Sequence, residues 1–325
     1  MALFPIPHSI LSFFCILLFN ILSAYPTMYF VLVNLWLVFA FISGRVESLP
    51  LLGSQPPSFD LTKMDTLFSF GDSYTTEYLN LRTMKYPSSD SVSSTNGANW
   101  VHYFTETSQL KDWNLASNSA PIQNDLVNQS SSVVDIDQQI TKLFVQYFVK
   151  NETQSRSPEK TLYDIWVGIN DLGQLFANKT TTPLDTLVKR YKELIYSLNG
   201  NGAKYIAVIN VPPIDRSPKW ASEDTVSKMK SMVESYNQKV YEMTKELAED
   251  KSLRVFYVDA WTIFNEMLDN PSKYGFKNVT GYCPNWKKPE ENDCLPIDNY
   301  FWLNNLHPTT NVHAEFAKQM KTYLK

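Results

Sequence analysis

The sequence lacks the concentrations of charge that mark nucleic-acid binding or disorder. Its 325 residues carry a formal net charge of −4, without a basic patch or an acidic tail. We therefore expect no nucleic-acid partner. No internal repeat is present either. With 44% hydrophobic and 14% aromatic residues, the chain is long and apolar enough to bury a full core, as one large domain or two small ones.

Cysteine is scarce, with 3 residues in the whole chain. Cys15 lies in an apolar N-terminal run, so Cys283 and Cys294 are the two left for the folded domain. They stand eleven apart in a loop rich in Pro, Asn, Lys and Glu, which is typical of one disulfide formed in an oxidising compartment. The alternative is a pair of free thiols. A metal site would need more ligands nearby, and we expect none.

The first 44 residues contain no Asp, Glu, Lys or Arg. They form two apolar runs, at about 10–22 and 29–42, and each resembles the apolar core of a secretory signal. Neither run comfortably reaches the about 20 residues of a membrane span. Neither is preceded by basic residues, although a start at Met28 would leave one ordinary signal. We expect a leader over 1–48, export with cleavage near residue 44, and one domain over 49–325; an uncleaved signal-anchor is the alternative.

The sequence also contains four Asn-X-Ser/Thr acceptors for N-glycosylation, at Asn128, Asn151, Asn178 and Asn278. Each alone is weak, since such triplets occur by chance. Four in one domain of enzyme size favour a secreted glycoprotein.

From residue 61 onward, short apolar segments alternate with segments of helical periodicity. The predicted strands are 61–70, 162–167, 205–210 and 254–258. The predicted helices are 100–107, 133–150, 183–198, 221–251, 261–268 and 312–324. Strands separated by helices of ten or more residues indicate a parallel sheet with right-handed crossovers. We predict a three-layer α/β/α sandwich around a central parallel sheet, of flavodoxin-like type.

Polar residues follow the predicted strands, where ligands bind in such sheets. Gly-Asp-Ser-Tyr at 71–74 follows the first strand, and Gly-Ile-Asn-Asp at 168–171 follows the second. A run of small residues, Asn-Leu-Ala-Ser-Asn-Ser-Ala, lies between them at 114–120. Near the C-terminus comes Trp-Leu-Asn-Asn-Leu-His-Pro at 302–308. These four segments are the candidate site.

Only one of the four histidines in the chain stands where a catalytic base is expected. His8 lies in the leader, His102 sits among aromatic residues on a predicted helix, and His313 lies near the start of the last predicted helix. We interpret His102 as a packing or surface residue and His313 as a capping or surface residue. His307 lies in a loop before a proline, where catalytic histidines are often displayed.

The four segments resemble the consensus blocks of the SGNH (GDSL) hydrolases, and are most similar to the fungal carbohydrate esterases of the acetylesterase type. The resemblance runs from about residue 64 to the C-terminus. It implies that Ser73 is the nucleophile and His307 the base. It also implies an oxyanion hole formed by the backbone N–H of Ser73, a backbone N–H near Ser119 and the amide of Asn170, with no cofactor. The absence of Gly-X-Ser-X-Gly argues against the larger α/β-hydrolase fold.

Two positions depart from that family's pattern. Ser119 stands where glycine is usual, which preserves the backbone N–H if the local backbone suits a residue with a Cβ. Asn304 stands where the family has the aspartate that orients the histidine. An amide oxygen can accept the same hydrogen bond but brings no charge, and its NH₂ could instead turn toward the ring. We treat Asn304 as a weakened orienter, with Asp298 as a conceivable substitute.

These residues predict a secreted serine esterase that hydrolyses short acyl groups, acetyl above all, on plant cell-wall carbohydrate. Three aromatic residues that border the segments, Tyr74, Trp100 and Trp302, are candidates for a sugar-stacking surface; the alternative is that they pack in the core. Two other functions stay open. One is a non-catalytic glycan-binding protein on a decayed hydrolase scaffold, suggested by Asn304 and Ser119. The other is a membrane-anchored lipid esterase, if the leader is uncleaved.

Overall fold

A computed structural model describes residues 57–87, 94–150, 156–178 and 181–325. The predicted leader over 1–48, its cleavage site and the acceptor Asn151 lie outside these residues. Residues Ser54–Lys325 cluster by their contacts into one unit. Within the described ranges, no helix combines the length and the apolarity that crossing a bilayer requires.

The centre of the fold is a parallel sheet of five strands in the order β2-β1-β3-β4-β5. The strands are β1 Thr66–Gly71, β2 Lys111–Asn114, β3 Thr161–Trp166, β4 Tyr205–Ile209 and β5 Arg254–Val258. Every residue of β1, β3 and β4 is buried, as expected for strands covered on both faces. Because all five strands are parallel, their carboxyl ends meet at one edge of the sheet.

Seven α-helical segments and one π-helix connect and cover the strands in the described ranges. The helices are α1 Trp100–Ser108, α2 Ile136–Gln138, which continues as a π-helix over Gln139–Val149, α3 Ile169–Asn178, α4 Leu184–Gly200, α5 Glu223–Leu247, α6 Ala260–Asp269 and α7 Thr310–Met320. Short 3₁₀ turns lie in the loops, including Ile214–Arg216 and Ile297–Asn299.

The side chains of the sheet alternate between two helical layers. Phe68 of β1 lies 5.2 Å from Phe144 of the π-helix, ring centre to ring centre. Trp166 of β3, which has the opposite parity, stacks at 4.5 Å on Phe316 of α7. Helices α1 and α6 both contact α7 on that second face, whereas the π-helix, α4 and α5 form the other layer. The predicted three-layer sandwich with a central parallel sheet is therefore confirmed.

The strand predictions were largely right, with one strand missed. The predicted strand 254–258 has the observed bounds, and those at 162–167 and 205–210 are within one residue at each end. The first strand is shorter than predicted, because Leu61–Lys63 forms a 3₁₀ turn capped by Asp60. The missed strand is β2. Its four residues, Lys-Asp-Trp-Asn, form an edge strand with little apolar character, so the sequence alternation that marks a buried strand is absent.

Cys283 and Cys294 form a disulfide with an S–S distance of 2.11 Å and a Cα–Cα distance of 5.8 Å. The predicted pairing is thus present, and the alternative of free thiols is wrong. Cys283 itself is buried.

Candidate active site

The turn that follows β1 presents Ser73 at the carboxyl edge of the sheet. Gly71 ends the strand, and a Cβ there would come within 2.8 Å of Thr75 Oγ1 and 2.9 Å of the Trp166 carbonyl oxygen. Only glycine fits this position without displacing a neighbour. One residue later, the Asp72 carboxylate accepts a hydrogen bond from the Tyr74 backbone N–H at 2.9 Å, which closes a local turn around Ser73.

A glutamine on the neighbouring π-helix secures the same turn. The Gln139 amide accepts a hydrogen bond from the Gly71 N–H at 3.0 Å and donates one to the Gly71 carbonyl at 2.9 Å. Gln139 is fully buried, so both bonds are sheltered from water. Sequence analysis missed this residue. A signal existed, because Gln139 occupies a position of the apolar stripe formed by Ile136, Ile140 and Phe144.

The structure brings Ser73, His307 and Asn304 together in one chain of hydrogen bonds. His307 Nε2 lies 2.8 Å from Ser73 Oγ, and His307 Nδ1 lies 3.2 Å from Asn304 Oδ1. The same Oδ1 accepts hydrogen bonds from the backbone N–H groups of Leu306 at 2.9 Å and of His307 at 2.8 Å. Rotating the amide would set its NH₂ group against two N–H donors. Asn304 therefore presents oxygen to the ring, which places the proton on Nδ1 and leaves Nε2 as the acceptor.

Asp298 does not take the place of the missing aspartate. It lies in the 3₁₀ turn Ile297–Asn299 with its side chain exposed, and His307 Nδ1 is already engaged by Asn304. The suggestion that Asp298 takes the role of that aspartate is wrong, because the turn directs its carboxylate toward solvent.

His307 is protected from protonation by its surroundings. Burial, together with the positive charge of Lys219, lowers the pKa of His307 to about 4. Lys219 is held beside the loop of His307 by a hydrogen bond from its backbone N–H to the Asn305 carbonyl oxygen at 2.7 Å. Burial lowers the pKa of Lys219 itself. Sequence analysis missed this lysine and had no signal for it, because only the fold brings residue 219 next to residue 307.

The predicted oxyanion donors lie around the same turn. The amide of Asn170 donates to Asp72 Oδ2 at 3.0 Å and to the Ala120 carbonyl oxygen at 3.2 Å. Asn170 thus connects the residue before Ser73 to the residue after Ser119. Ser119 has φ +64°, in the left-handed region that favours glycine. The usual glycine is replaced here, but the backbone conformation that suits glycine is kept.

Two buried carboxyl groups lie beneath these donors. Burial raises the pKa of Asp72 to about 7, and burial together with the charge of Asp72 raises the pKa of Asp171 to about 7. Asp171 Oδ1 accepts from the Ile122 N–H at 2.9 Å, while Asp171 Oδ2 is buried without a hydrogen-bond partner among the described residues. Neither group was singled out from the sequence. Within the described residues, no cluster of His, Cys, Asp or Glu side chains could hold a metal ion.

The three aromatic residues predicted to bind sugar are buried in the core. Tyr74 is 1% exposed, and Trp100 and Trp302 are 0% exposed, so none offers a ring face to a ligand. The stacking prediction is wrong, and the alternative of core packing is confirmed. Two of them also make hydrogen bonds to loop carbonyl groups: Tyr74 O–H donates to the Leu306 carbonyl oxygen, and Trp302 Nε1–H donates to the Val279 carbonyl oxygen at 2.9 Å.

The remaining histidines and the glycosylation acceptors are placed as follows. His102 is exposed, as predicted for a surface residue, whereas His313 is 2% exposed within α7. The surface interpretation of His313 is wrong, because the helix begins at Thr310 and turns this side chain toward Tyr74. Asn128 is exposed and Asn278 partly exposed. Asn178 is the last residue of α3, and its side chain is outside the described part.

Comparison with known proteins places these features in context. The family model for the GDSL-like lipases and acylhydrolases matches residues 67–320. An acetylesterase of Thermothelomyces thermophilus is 24% identical over 270 residues, which cover 78% of this chain and 85% of that protein. A GDSL esterase/lipase of Arabidopsis thaliana is 25% identical over 186 residues, which cover 50% of this chain and 51% of that protein. The chain thus spans about half the length of that plant relative.

Two solved structures share the fold. A putative GDSL-like lipase from Parabacteroides merdae has a TM-score of 0.50 at 12% identity, over 83% of this chain and 98% of that one. A variant of an acetyl-xylooligosaccharide esterase from Geobacillus has a TM-score of 0.50 at 14% identity, over 81% of this chain and 96% of that one. At these identities the likeness shows the architecture alone.

Proposed function

The chain belongs to the family of GDSL-like lipases and acylhydrolases and is a carboxylic ester hydrolase, and from this premise we propose a more specific function. We propose that it is a secreted serine esterase that removes acetyl groups from plant cell-wall carbohydrate. The observation that supports this proposal most is the chain of hydrogen bonds from Ser73 through His307 to Asn304.

In the first step, Ser73 Oγ attacks the ester carbonyl carbon while His307 Nε2 takes the hydroxyl proton. A serine hydroxyl is a poor nucleophile until a base removes its proton, and the 2.8 Å separation lets His307 do so directly. The resulting imidazolium keeps its Nδ1–H on Asn304 Oδ1, which orients the ring without neutralising its charge. His307 then gives its proton to the leaving sugar oxygen, and an acetyl-enzyme remains on Ser73.

Donors around the turn stabilise the oxyanion that forms during attack. The backbone N–H groups of Ser73 and Ser119 have no acceptor among the described residues, so both are free to donate. The Asn170 amide would exchange one of its present acceptors, Asp72 or the Ala120 carbonyl, for the oxyanion. Each such donor lowers the barrier by about 3–4 kcal/mol in other serine hydrolases.

In the second step, water hydrolyses the acetyl-enzyme. His307 Nε2, neutral again, takes a proton from a water molecule that attacks the acetyl carbonyl, and returns that proton to Ser73 Oγ as the acetyl–serine bond breaks. The products are free enzyme and acetic acid, which releases its proton to solvent as acetate. Every proton is accounted for by Ser73, His307, water and the two leaving groups.

The proposed substrate and location have separate support. The acetylesterase named above favours acetyl as the acyl group that is removed, and the resemblance of the four segments to fungal carbohydrate esterases favours a saccharide as its carrier. The Cys283–Cys294 disulfide favours an oxidising compartment, and Asn128 is accessible to a glycosyl donor. Because Asn304 presents an acceptor and Ser119 keeps a glycine-like backbone, the two departures from the family pattern are compatible with an active site. They no longer favour a decayed scaffold.

The test is hydrolysis of p-nitrophenyl acetate by the full chain produced in a secreting host. We expect Ser73→Ala to lower kcat by at least about 10³-fold, because the nucleophile is lost. Ser231→Ala, which alters an exposed serine of α5 outside the site and outside every Asn-X-Ser/Thr triplet, is the control and should leave the rate unchanged. Unchanged hydrolysis in Ser73→Ala would reject the serine mechanism.

A comparison of substrates and sequencing of the mature N-terminus test the rest of the proposal. Faster hydrolysis of acetylated xylan than of a long-chain acyl ester supports the carbohydrate substrate, and the reverse order supports a lipid esterase. A mature N-terminus near residue 45 supports cleavage and export. Retention of residues 10–42 would instead support a membrane-anchored enzyme.

A further inference from the structure

A second groove lies on the same edge of the sheet as the candidate active site. It has a volume of about 410 Å³ and is lined by both aromatic and polar side chains. Its lining includes Tyr241, Tyr257, Trp261, Glu234, Gln238 and Asp259. None of these residues takes part in the hydrogen-bond chain of Ser73, so the groove is separate from the site already described.

The groove stands at the carboxyl ends of β4 and β5. Asn210 directly follows β4 and Asp259 directly follows β5, just as the turn of Ser73 follows β1. In the order β2-β1-β3-β4-β5, β4 is two strand spacings from β1 and β5 is three. These correspond to about 10 and 14 Å. A ligand that extends along this edge could therefore occupy both places at once.

A buried asparagine preorganises the polar side of the groove. The Asn210 amide donates to Tyr257 Oη and to Asp259 Oδ1, both at 2.8 Å, and accepts from the Trp261 backbone N–H at 3.0 Å. Asn210 is 2% exposed, so these bonds are shielded from water. Because Tyr257 Oη accepts here, its own proton is left for another acceptor. The Trp261 indole N–H likewise has no hydrogen-bond partner within the described residues.

The aromatic side of the groove is exposed in a way that the core residues beside Ser73 are not. Tyr241 is 42% exposed, and its ring meets Tyr257 edge-on at 5.2 Å between ring centres. Trp261 is partly exposed and also lines the groove. Aromatic faces next to free hydrogen-bonding groups suit a ligand with both apolar faces and hydroxyl groups.

The charges around the groove favour a neutral ligand. Glu234 is exposed, and its ion pair with Lys230 is long, at 3.9 Å, so it is available to accept hydrogen bonds from hydroxyl groups. The oxygens of Asp259 already accept three hydrogen bonds within the protein. The two carboxylates are offset by Lys230 and by Lys245, whose Nζ lies 4.8 Å from the centre of the Tyr241 ring. A neutral sugar chain meets no repulsion there, and Glu234 supplies an acceptor for its hydroxyl groups.

We propose that this groove is an accessory subsite that binds a neutral segment of the saccharide chain whose acetyl ester is cleaved at Ser73. The inference rests on the proposed function, because it supplies the polysaccharide that the active site acts upon. It adds a recognition site two to three strand spacings from the reacting ester. A small ester substrate bound at Ser73 would not reach that site.

The first experiment compares two exposed tyrosines in the full chain. Tyr241→Ala removes a ring of the groove, and Tyr196→Ala, which removes a 40% exposed ring on α4, is the matched control. We expect Tyr241→Ala to lower kcat/KM on acetylated xylan about 3- to 10-fold, the size of one lost aromatic contact. Its rate on p-nitrophenyl acetate should stay at the wild-type value, and Tyr196→Ala should change neither rate.

A second experiment measures binding without turnover. In a Ser73→Ala background, we expect deacetylated xylan to retard the protein in affinity electrophoresis, and Tyr241→Ala or Gln238→Ala to reduce that retardation. Equal rates on acetylated xylan for the Tyr241 and Tyr196 variants, or undiminished retardation, would overturn the subsite. If the wild-type protein did not hydrolyse p-nitrophenyl acetate, that result would instead contradict the proposed function. The two failures are therefore distinguishable.

Discussion

The side-chain oxygen of Asn304 lies 3.2 Å from Nδ1 of His307 and is held there by two backbone N–H groups. This arrangement selects the tautomer that an aspartate would select. It omits the negative charge that an aspartate would supply to the imidazolium. The two contributions of a triad acid, orientation and charge, are therefore separated in this protein, and each can be tested.

Asn304→Asp should add the missing charge. Replacing the triad aspartate of a serine protease by asparagine costs about 10⁴-fold in kcat. We expect the reverse change here to raise kcat on p-nitrophenyl acetate at pH 7–8 by about 10-fold or more. Asn305→Asp is the control, since it adds the same charge at the exposed neighbouring position. An equal or lower kcat in Asn304→Asp would show that orientation by the amide already suffices.

The activity should persist at low pH. Nε2 of His307 accepts a proton only when the ring is neutral, and the pKa of His307 is lowered to about 4, so kcat/KM should fall only as the pH drops through about 4. Lys219→Gln removes a positive charge that disfavours the imidazolium. It should raise the pKa of His307 and shift the acid limb of the pH profile upward.

Lys230→Gln is the control for that shift, since the charge of Lys230 is not among the causes that act on His307. The measurement is kcat/KM for p-nitrophenyl acetate between pH 3 and pH 8. An acid limb that stays in place in Lys219→Gln would contradict the electrostatic role of this lysine.

Gly71→Ala should destabilise the protein, because the new methyl group would come within 2.9 Å of a backbone carbonyl oxygen. Overpacking of this kind costs about 1–3 kcal/mol. The matched control is Gly173→Ala on α3, where a Cβ would meet nothing within 4 Å. That change should stabilise the helix by about 0.5–1 kcal/mol. Urea unfolding measures both, and a similar free energy of unfolding for the two variants would contradict the packing argument.

Asp171→Asn should stabilise the protein at pH 8 more than at pH 4. Burial raises the pKa of Asp171 from 3.8 to about 7. Between these values the folded state binds more protons than the unfolded state, so the stability of the wild type falls as the pH rises from about 4 to 7. Asparagine cannot ionise and escapes that loss.

The measurement is Tm at pH 4 and pH 8, with Asp125→Asn as the exposed control. We expect the difference in Tm between Asp171→Asn and wild type to grow with pH, while the control difference stays constant. A difference that is the same at both pH values would show that folding does not raise the pKa of Asp171.

The parts of the site that could be predicted were those carried by short contiguous motifs. Ser73 follows an apolar strand within Gly-Asp-Ser, and His307 precedes Pro308 in a loop, so both were singled out as candidates, and the resemblance of the four segments to the SGNH (GDSL) hydrolases implied their roles. The same holds for the sheet, since β3, β4 and β5 are marked by apolar runs between helices. Strand β2 escaped because an edge strand of four residues carries too little apolar pattern.

The sequence by itself determined the fold class, the disulfide pair and the candidate nucleophile and base, because each depends on local pattern or on the small number of residues of one type. Tertiary structure decided the rest. Whether Asn304 presents oxygen or NH₂ depends on two backbone donors, and the pKa of His307 depends on burial and on a lysine 88 positions away in the chain. The sequence does not reveal whether the aromatic rings of Tyr74, Trp100 and Trp302 are buried or exposed. Only packing between distant segments separates a core ring from a ligand-binding one.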